Sequence, residues 1–257
     1  MDQVLRYHCI KRKLVSKDLH DGITLETTLK LKKLNDKNQR IRVSKCGQTI
    51  SLNMFTRCLE ADIETQNGVI HVIDRVILPP VCILDTLNFV AGHFSTWLLA
   101  CERVGMSKEM QDCSMTLFCP TNSAWKNLGY KTISYLFSQR GEKDLKRIVE
   151  YHMVDQVVYT DSLIQKKQTE LRTLLKGEKI EVHVEEMKAG ERMLLNYNSQ
   201  HHEEGSININ HYRILLNRGE SRVIFTDGVC ENGNVMLINM VMIPQGLFID
   251  DNDELRR

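Results

Sequence analysis

Asn67-Gly68-Val69-Ile70-His71-Val72-Ile73-Asp74-Arg75-Val76-Ile77-Leu78-Pro79 recurs as Asn232-Gly233-Asn234-Val235-Met236-Leu237-Ile238-Asn239-Met240-Val241-Met242-Ile243-Pro244, 165 positions later. Each copy has the same physical outline. Asn-Gly favours a tight turn with positive φ. The β-branched and apolar run behind it reads as a strand. Proline closes it, because proline cannot donate to a β-ladder. In the first copy Val69, His71 and Ile73 fall on one face, and Ile70, Val72 and Asp74 on the other.

Working outward, a second pair of matches precedes the first. Tyr7-His8-Cys9-Ile10, Leu14-Val15-Ser16-Lys17-Asp18-Leu19 and Leu25-Glu26-Thr27-Thr28-Leu29 run parallel to Tyr151-His152-Met153-Val154, Val158-Tyr159-Thr160-Asp161-Ser162-Leu163 and Leu171-Arg172-Thr173-Leu174-Leu175. Here the offset is 144 to 146. It grows by about 20 before the closing stretch, so the second copy carries an insertion, placed most simply in the polar run Glu185 to Arg222.

The segment between Pro80 and Tyr151 has no upstream counterpart. Ile83-Leu84-Asp85-Thr86-Leu87 reads as a short helix start and Phe94 to Cys101 as an apolar helix. Ser114 to Cys119 reads as a strand ended by Pro120, with a cap at Thr121 and Asn122 and a helix carrying Ala124, Trp125 and Leu128. A helix around Leu145 to Val149 leads into Tyr151-His152. The first copy lacks nearly all of this.

Composition sets outer limits. In 257 residues, 42% are hydrophobic and 26% charged, ordinary for a globular chain with a sizeable core. The formal net charge of +1 gives no global pull toward nucleic acid or an anionic membrane. No apolar run approaches bilayer length, and the first residues lack the basic-then-apolar layout of a signal peptide. The eight cysteines are scattered without a Cys-x-x-Cys, which disfavours a disulfide scaffold or zinc finger. Cys82, Cys101 and Cys119 read as buried free thiols. No Asn-x-Ser/Thr acceptor occurs. Nor is there a Gly-x-Ser-x-Gly, a phosphate loop, a His-Glu-x-x-His or a dinucleotide fingerprint.

These motifs resemble the fasciclin-like domain family. Thr116-Leu117-Phe118-Cys119-Pro120-Thr121-Asn122-Ser123-Ala124-Trp125 is similar to its first signature, Tyr151-His152 to its central Tyr-His pair, and the stretches opened by Asn67-Gly68 and Asn232-Gly233 to its closing signature. The resemblance implies an α/β (α+β) fold, a β-wedge with helices packed at one side. It divides the chain into the C-terminal half of one domain (1–80), a complete domain (81–246) and a polar tail (247–257). It implies a non-catalytic adhesion or protein-interaction role, in the secretory pathway, extracellular, cell-surface or vacuolar. The expected partner is a protein, a cell surface or matrix. No cofactor, metal or nucleic acid is expected, and membrane association only through parts outside this chain. The missing front half and missing signal peptide make a fragment of a longer multi-domain protein the expectation, with a short intracellular protein as the other reading.

Candidate contacts follow. Tyr7-His8 and Tyr151-His152 stand at equivalent places, as packed and hydrogen-bonded residues or as a partner surface, to which the resemblance points. Asp62-Ile63 resembles an Asp-Ile element of adhesive relatives; its second copy keeps Asp227 but has Gly228 for the isoleucine. A turn-capping role is the plainer reading of Asp62. His201-His202-Glu203-Glu204 is the one metal-like cluster, but adjacent side chains on an extended chain point apart, so a solvated loop fits better. Residues 1–80 hold 14 Lys/Arg against 9 Asp/Glu, including Lys11-Arg12-Lys13, Lys32-Lys33, Lys37, Arg40 and Arg42, and read as a solvated face without aromatic interleaving. Two rival functions remain: a carrier of a small apolar ligand in a cavity lined by Trp97, Phe118 and Trp125, and a hydrolase whose residues meet only in space.

Overall fold

A computed structural model describes residues 2–187 and 212–247. The metal-like run His201 to Glu204 and nearly all of the polar tail lie outside the described residues. The first unit begins with helix α1 (Asp2–Tyr7). It continues as β1 (Thr24–Leu31), β2 (Lys37–Cys46), β3 (Thr49–Leu52), β4 (Thr56–Thr65) and β5 (Gly68–Ile73), an antiparallel sheet in sequence order. The second unit opens with a helical layer: α2 (Ile83–Phe89), α3 (Ala91–Arg103) and α4 (Ser107–Asp112). Strand β6 (Met115–Pro120) follows, then α5 (Asn122–Lys126), α6 (Tyr130–Leu136), α7 (Glu142–His152) and β7 (Met153–Val154). The remainder is α8 (Thr160–Lys166), β8 (Gln168–Arg172), β9 (Lys179–Glu186), β10 (Tyr212–Leu216), β11 (Ser221–Cys230) and β12 (Gly233–Ile238).

The second sheet has the order β7-β6-β12-β11-β10-β9-β8. Its last five strands repeat β1 to β5, so the duplication seen in the letters is a duplication of sheet. The insertion falls between Glu186 and Tyr212. There the first unit joins β2 to β3 through a tight turn at Gly47, φ 59°. The two units differ at the far edge. β12 pairs in parallel with β6, Gly233 opposite Met115 through Ile238 opposite Pro120. β5 pairs with β4 and ends the first sheet.

The sequence of the front segment explains its layering. Every residue of β6 is buried, the pattern of a parallel strand covered on both faces. Leu117 and Cys119 face the helical layer with Trp97 and Trp125, while Phe118 faces the wedge interior with Tyr151, Ile180 and Val182. Thr121 caps α5 by accepting from the Ala124 N–H at 3.2 Å. Helix α7 buries Leu145, Ile148, Val149 and His152, spaced i, i+3, i+4 and i+7 along one stripe. One expectation about the turns fails: neither Gly68 nor Gly233 has a positive φ. Both begin their strands, and Gly233 is needed for another reason. A Cβ there would overlap the carbonyl oxygen of Met115 in β6.

The basic face of the first unit also needs correction. Several of its cations point at the second unit and not at solvent. Arg42 is 2% exposed; its Nε donates to the Thr226 carbonyl at 2.8 Å and its guanidinium lies 4.8 Å from the Phe225 ring centre. Gln39 donates to the Cys230 carbonyl at 2.9 Å. Arg40 pairs with Asp161 at 2.7 Å over the Tyr159 ring, and Lys33 with Glu231 at 3.1 Å. The contact joins β2 to β11 and is polar. Arg42→Ala is expected to cost about 1.5–3 kcal/mol for the lost charge-assisted bond. It should also split a single calorimetric transition of the whole chain into two.

Candidate functional site

The two Tyr-His pairs end α1 and α7 and are built alike. Tyr7 is fully buried; its hydroxyl donates to the Arg40 carbonyl at 2.9 Å and accepts from Asn53 Nδ2 at 2.8 Å. Tyr151 repeats this with the Lys179 carbonyl at 3.1 Å and Asn217 Nδ2 at 3.0 Å. His8 Nδ1 lies 2.7 Å from the Val4 carbonyl, and Nε2 accepts the Ile77 N–H at 3.1 Å. His152 does the same with Ile148 at 2.7 Å and Met242 at 3.0 Å. In each ring Nδ1 must donate and Nε2 must accept, which fixes a neutral tautomer. Each pair thus pins a helix end to the sheet and to the segment leaving its last strand. Asn53 and Asn217 complete the node, and no spacing rule marks them in the sequence.

Burial separates the twins. His152 is fully buried, with the Trp97 ring 5.5 Å away centre to centre, and burial pushes its pKa down to about 4. His8 is exposed.

The Asp corners repeat as well. Asp62 sits at φ 65° within β4, and its carboxylate accepts the Ser16 N–H at 2.7 Å and the Ser16 hydroxyl at 2.5 Å. These bonds hold its pKa below the ordinary value. Asp227, at φ 56° in β11, accepts the Thr160 N–H at 3.1 Å and Asn234 Nδ2 at 2.8 Å. It is buried, and burial pushes its pKa up to about 6 against these bonds and the charge of Arg42. Both aspartates therefore bind the backbone at the start of a short helical turn. Ile63 follows Asp62 half-buried, facing Ile70 across β4 and β5. At Gly228 an added Cβ would sit 3.1 Å from the Val235 carbonyl.

The family-motif residues also divide. Asn232 is buried and serves three backbone groups: Ile83 N–H at 2.9 Å, and the Met110 and Cys113 carbonyls at 2.9 and 2.7 Å. Asn67 is exposed and accepts the Thr65 hydroxyl at 3.2 Å. Around Gly68 an added Cβ would meet nothing within 4 Å. Thr116 bridges the Gln156 carbonyl and the Val158 N–H. Asn122 ties α5 to α3 through Thr96, Gly92 and Ser95, and Pro120 is buried opposite Ile238.

Trp97, Phe118 and Trp125 are packed core in two separate clusters. A cleft of about 450 Å³ between the units is lined largely by charged side chains, among them Glu26, Lys30, Lys37 and Arg40, with Tyr159. Among the described residues no three His, Cys, Asp or Glu side chains group to hold a metal, and all eight cysteines are free thiols. No described helix is long and apolar enough to cross a membrane.

Comparison with known proteins places these features. The Fasciclin domain model matches residues 1–79 and 92–244. Stabilin-2 of Rattus norvegicus is 28% identical over 169 residues, covering 60% of this chain and 11% of that protein. Transforming growth factor-beta-induced protein ig-h3 of Sus scrofa is 29% identical over 161 residues, covering 62% of this chain and 22% of that one. The chain thus spans between about a tenth and a quarter of these curated relatives. Among solved structures, a FAS1 domain pair from the insect cell adhesion molecule Fasciclin I superposes with a TM-score of 0.52 at 20% identity, covering 94% of this chain and 79% of that one.

Proposed function

The chain belongs to the fasciclin domain family, and from that premise we propose that it is a non-catalytic adhesion or protein-interaction module with its contact at the Asp62-Ile63 corner. The partner is a protein of a cell surface or matrix, met outside the cytoplasm. The carrying observation is the difference between the two corners. Asp62 is held in place through Ser16, so the fold fixes the direction in which Ile63 stands. The equivalent Asp227 likewise accepts a backbone N–H, from Thr160, with Asn234 in place of a hydroxyl, but is followed by Gly228, which presents no side chain. One unit therefore offers an apolar group at a rigid, carboxylate-bearing corner. The filled clusters around Trp97, Phe118 and Trp125 favour this reading over an apolar-ligand carrier.

Ile63→Gly, which copies the second unit's corner, is expected to weaken attachment in a surface-adhesion assay. It should also cost stability, by roughly 0.5–1 kcal/mol for a glycine placed in a strand and about 1 kcal/mol more for the half-buried side chain removed, too little to unfold the unit. Asp62→Ala should weaken attachment too, while also releasing the Ser16 turn. Unchanged attachment by both variants, with the fold intact, would exclude the corner.

A further inference from the structure

The two units differ in the length of one hairpin. Leu25 pairs with Ile41, 16 positions on, whereas the matching Leu171 pairs with Ile180, nine positions on. The β1–β2 hairpin is therefore seven residues longer than β8–β9. The extra length is well built. Lys32–Leu34 form a short helical turn, Leu34 is buried beneath it, and Asn35 and Asp36 take left-handed backbone at φ 56° and 58°. Lys33 fastens this turn to the second unit, through Glu231 at 3.1 Å and the Gln111 carbonyl at 3.4 Å. The extension is thus held in place against its neighbour, and its position does not depend on a ligand.

What the extension encloses is the cleft of about 450 Å³ between the units. One wall is the hairpin, from Lys30 to Asn38, and the other is the stretch from Val157 to Ser162 of the second unit. That volume falls within the roughly 300–1,000 Å³ of small-molecule sites. Leu34, Val157 and Tyr159 give the cleft apolar surface, and Asn38 and Ser162 give neutral polar groups. Arg40 is already committed, to the Thr24 hydroxyl at 2.8 Å, Glu26 at 3.0 Å and Asp161 at 2.7 Å. Lys30 and Lys37 are exposed and, among the described residues, stand in no ion pair. They are the uncommitted cations of the lining. Asp36 also lines the cleft, and Glu26 gives Arg40 only Oε1, so carboxylate oxygens remain to accept hydrogen bonds.

This mixture selects among ligands. A purely apolar molecule would desolvate the charged groups without pairing them. A bare anion would use the lysines and leave the apolar surface and the acceptors idle. A sugar ring with one carboxylate uses all three. Its C–H face suits Leu34, Val157 and Tyr159, its hydroxyls can donate to carboxylate and amide oxygens, and its acid forms charge-assisted bonds with ammonium groups. We infer that the cleft binds a uronic acid, with its carboxylate on Lys30 and Lys37 and its hydroxyls on Asp36, Asn38 and Ser162. The twin hairpin β8–β9 lacks the extension and so builds no such wall. None of these residues belongs to the Asp62 corner, so the two contacts stand or fall separately.

The test titrates four probes into the full chain: a tetrasaccharide of galacturonic acid, free galacturonic acid, a neutral glucose tetrasaccharide, and acetate. The acidic tetrasaccharide should shift the amide NMR signals of both walls, Lys30 to Asn38 and Val157 to Ser162. Free galacturonic acid acting at a similar concentration assigns the cleft to a single sugar, and the tetrasaccharide acting alone assigns it to a stretch of glycan chain. Lys30→Gln combined with Lys37→Gln removes two exposed charges and should weaken binding about tenfold or more. Asn38→Trp, which fills the cleft and suits a strand, should abolish binding in a chain that keeps its remaining amide spectrum. Three results each overturn the inference: no shift with either acidic sugar at about 10 mM, an equal response to acetate or to the neutral tetrasaccharide, or full affinity in both the lysine and tryptophan variants.

Discussion

Gly233→Val should unfold the second unit, while Gly68→Val, the same change at the equivalent letter, should shift stability by no more than about 0.5 kcal/mol. Neither glycine has a positive φ, so conformational freedom does not distinguish them. Surroundings do. A side chain at Gly233 has the Met115 carbonyl in its path and Ile83 Cδ1 at 3.3 Å. β6 cannot retreat, because it is bonded to β12 from Met115 to Pro120 and to β7 on its other edge. Relief would require breaking that parallel pairing, on which both core clusters of the unit converge. A loss of about 4 kcal/mol or more is expected, in the range reserved for core overpacking with a backbone shift. At Gly68 the added valine meets open space and suits a strand. Urea unfolding of the two variants checks both halves. A Gly233→Val protein as stable as the parent would mean that β6 does not lie where the register puts it.

That contrast also marks what the sequence makes legible. The five-strand repeat is readable because each strand carries its own local pattern, and both closing strands lie where their β-branched runs predict. The strand at Met115, the cap at Thr121 and the helix ending in Tyr151-His152 are local patterns too. The jobs of identical letters are not legible. Asn67 and Asn232 are the same dipeptide position, yet one serves three distant backbone groups and the other is a surface amide, since the partners lie 119 to 149 residues away in sequence. The Asn-Gly letters point to a positive-φ turn, and the structure uses the glycine for close approach instead. Arg40 and Arg42 read as solvated because charge is usually outside; their burial depends on a second sheet that no window around them contains. The corner residue Asp62 is legible as a cap once Ser16 is set beside it, 46 residues upstream.

In acid, Asp227 and His152 should pull stability in opposite directions, and Asp227→Asn should expose the pull of the histidine. Burial lifts Asp227 to about 6 from the ordinary 3.8. Between those values the folded chain holds a proton that the unfolded chain has released, so this group destabilises the fold at neutral pH and the loss is recovered as pH falls from 6 toward 4. Burial lowers His152 to about 4 from 6.5. Here the unfolded chain takes the proton first, so stability present above 6.5 is lost as pH falls toward 4. Each shift exceeds two units and corresponds to about 3 kcal/mol, so across pH 6.5 to 4 the two nearly cancel in the parent chain. Asparagine suits position 227, since its amide oxygen can still accept the Thr160 N–H and its short polar side chain tolerates the left-handed backbone at φ 56°. The variant should therefore be at least as stable as the parent near neutrality, yet lose about 3 kcal/mol more than the parent on going from pH 6.5 to 4. Chemical denaturation at a series of pH values reads the difference directly. Parallel curves for parent and variant would show that Asp227 does not titrate in this window, and that its charge is held by Thr160, Asn234 and Arg42 more firmly than its burial opposes it.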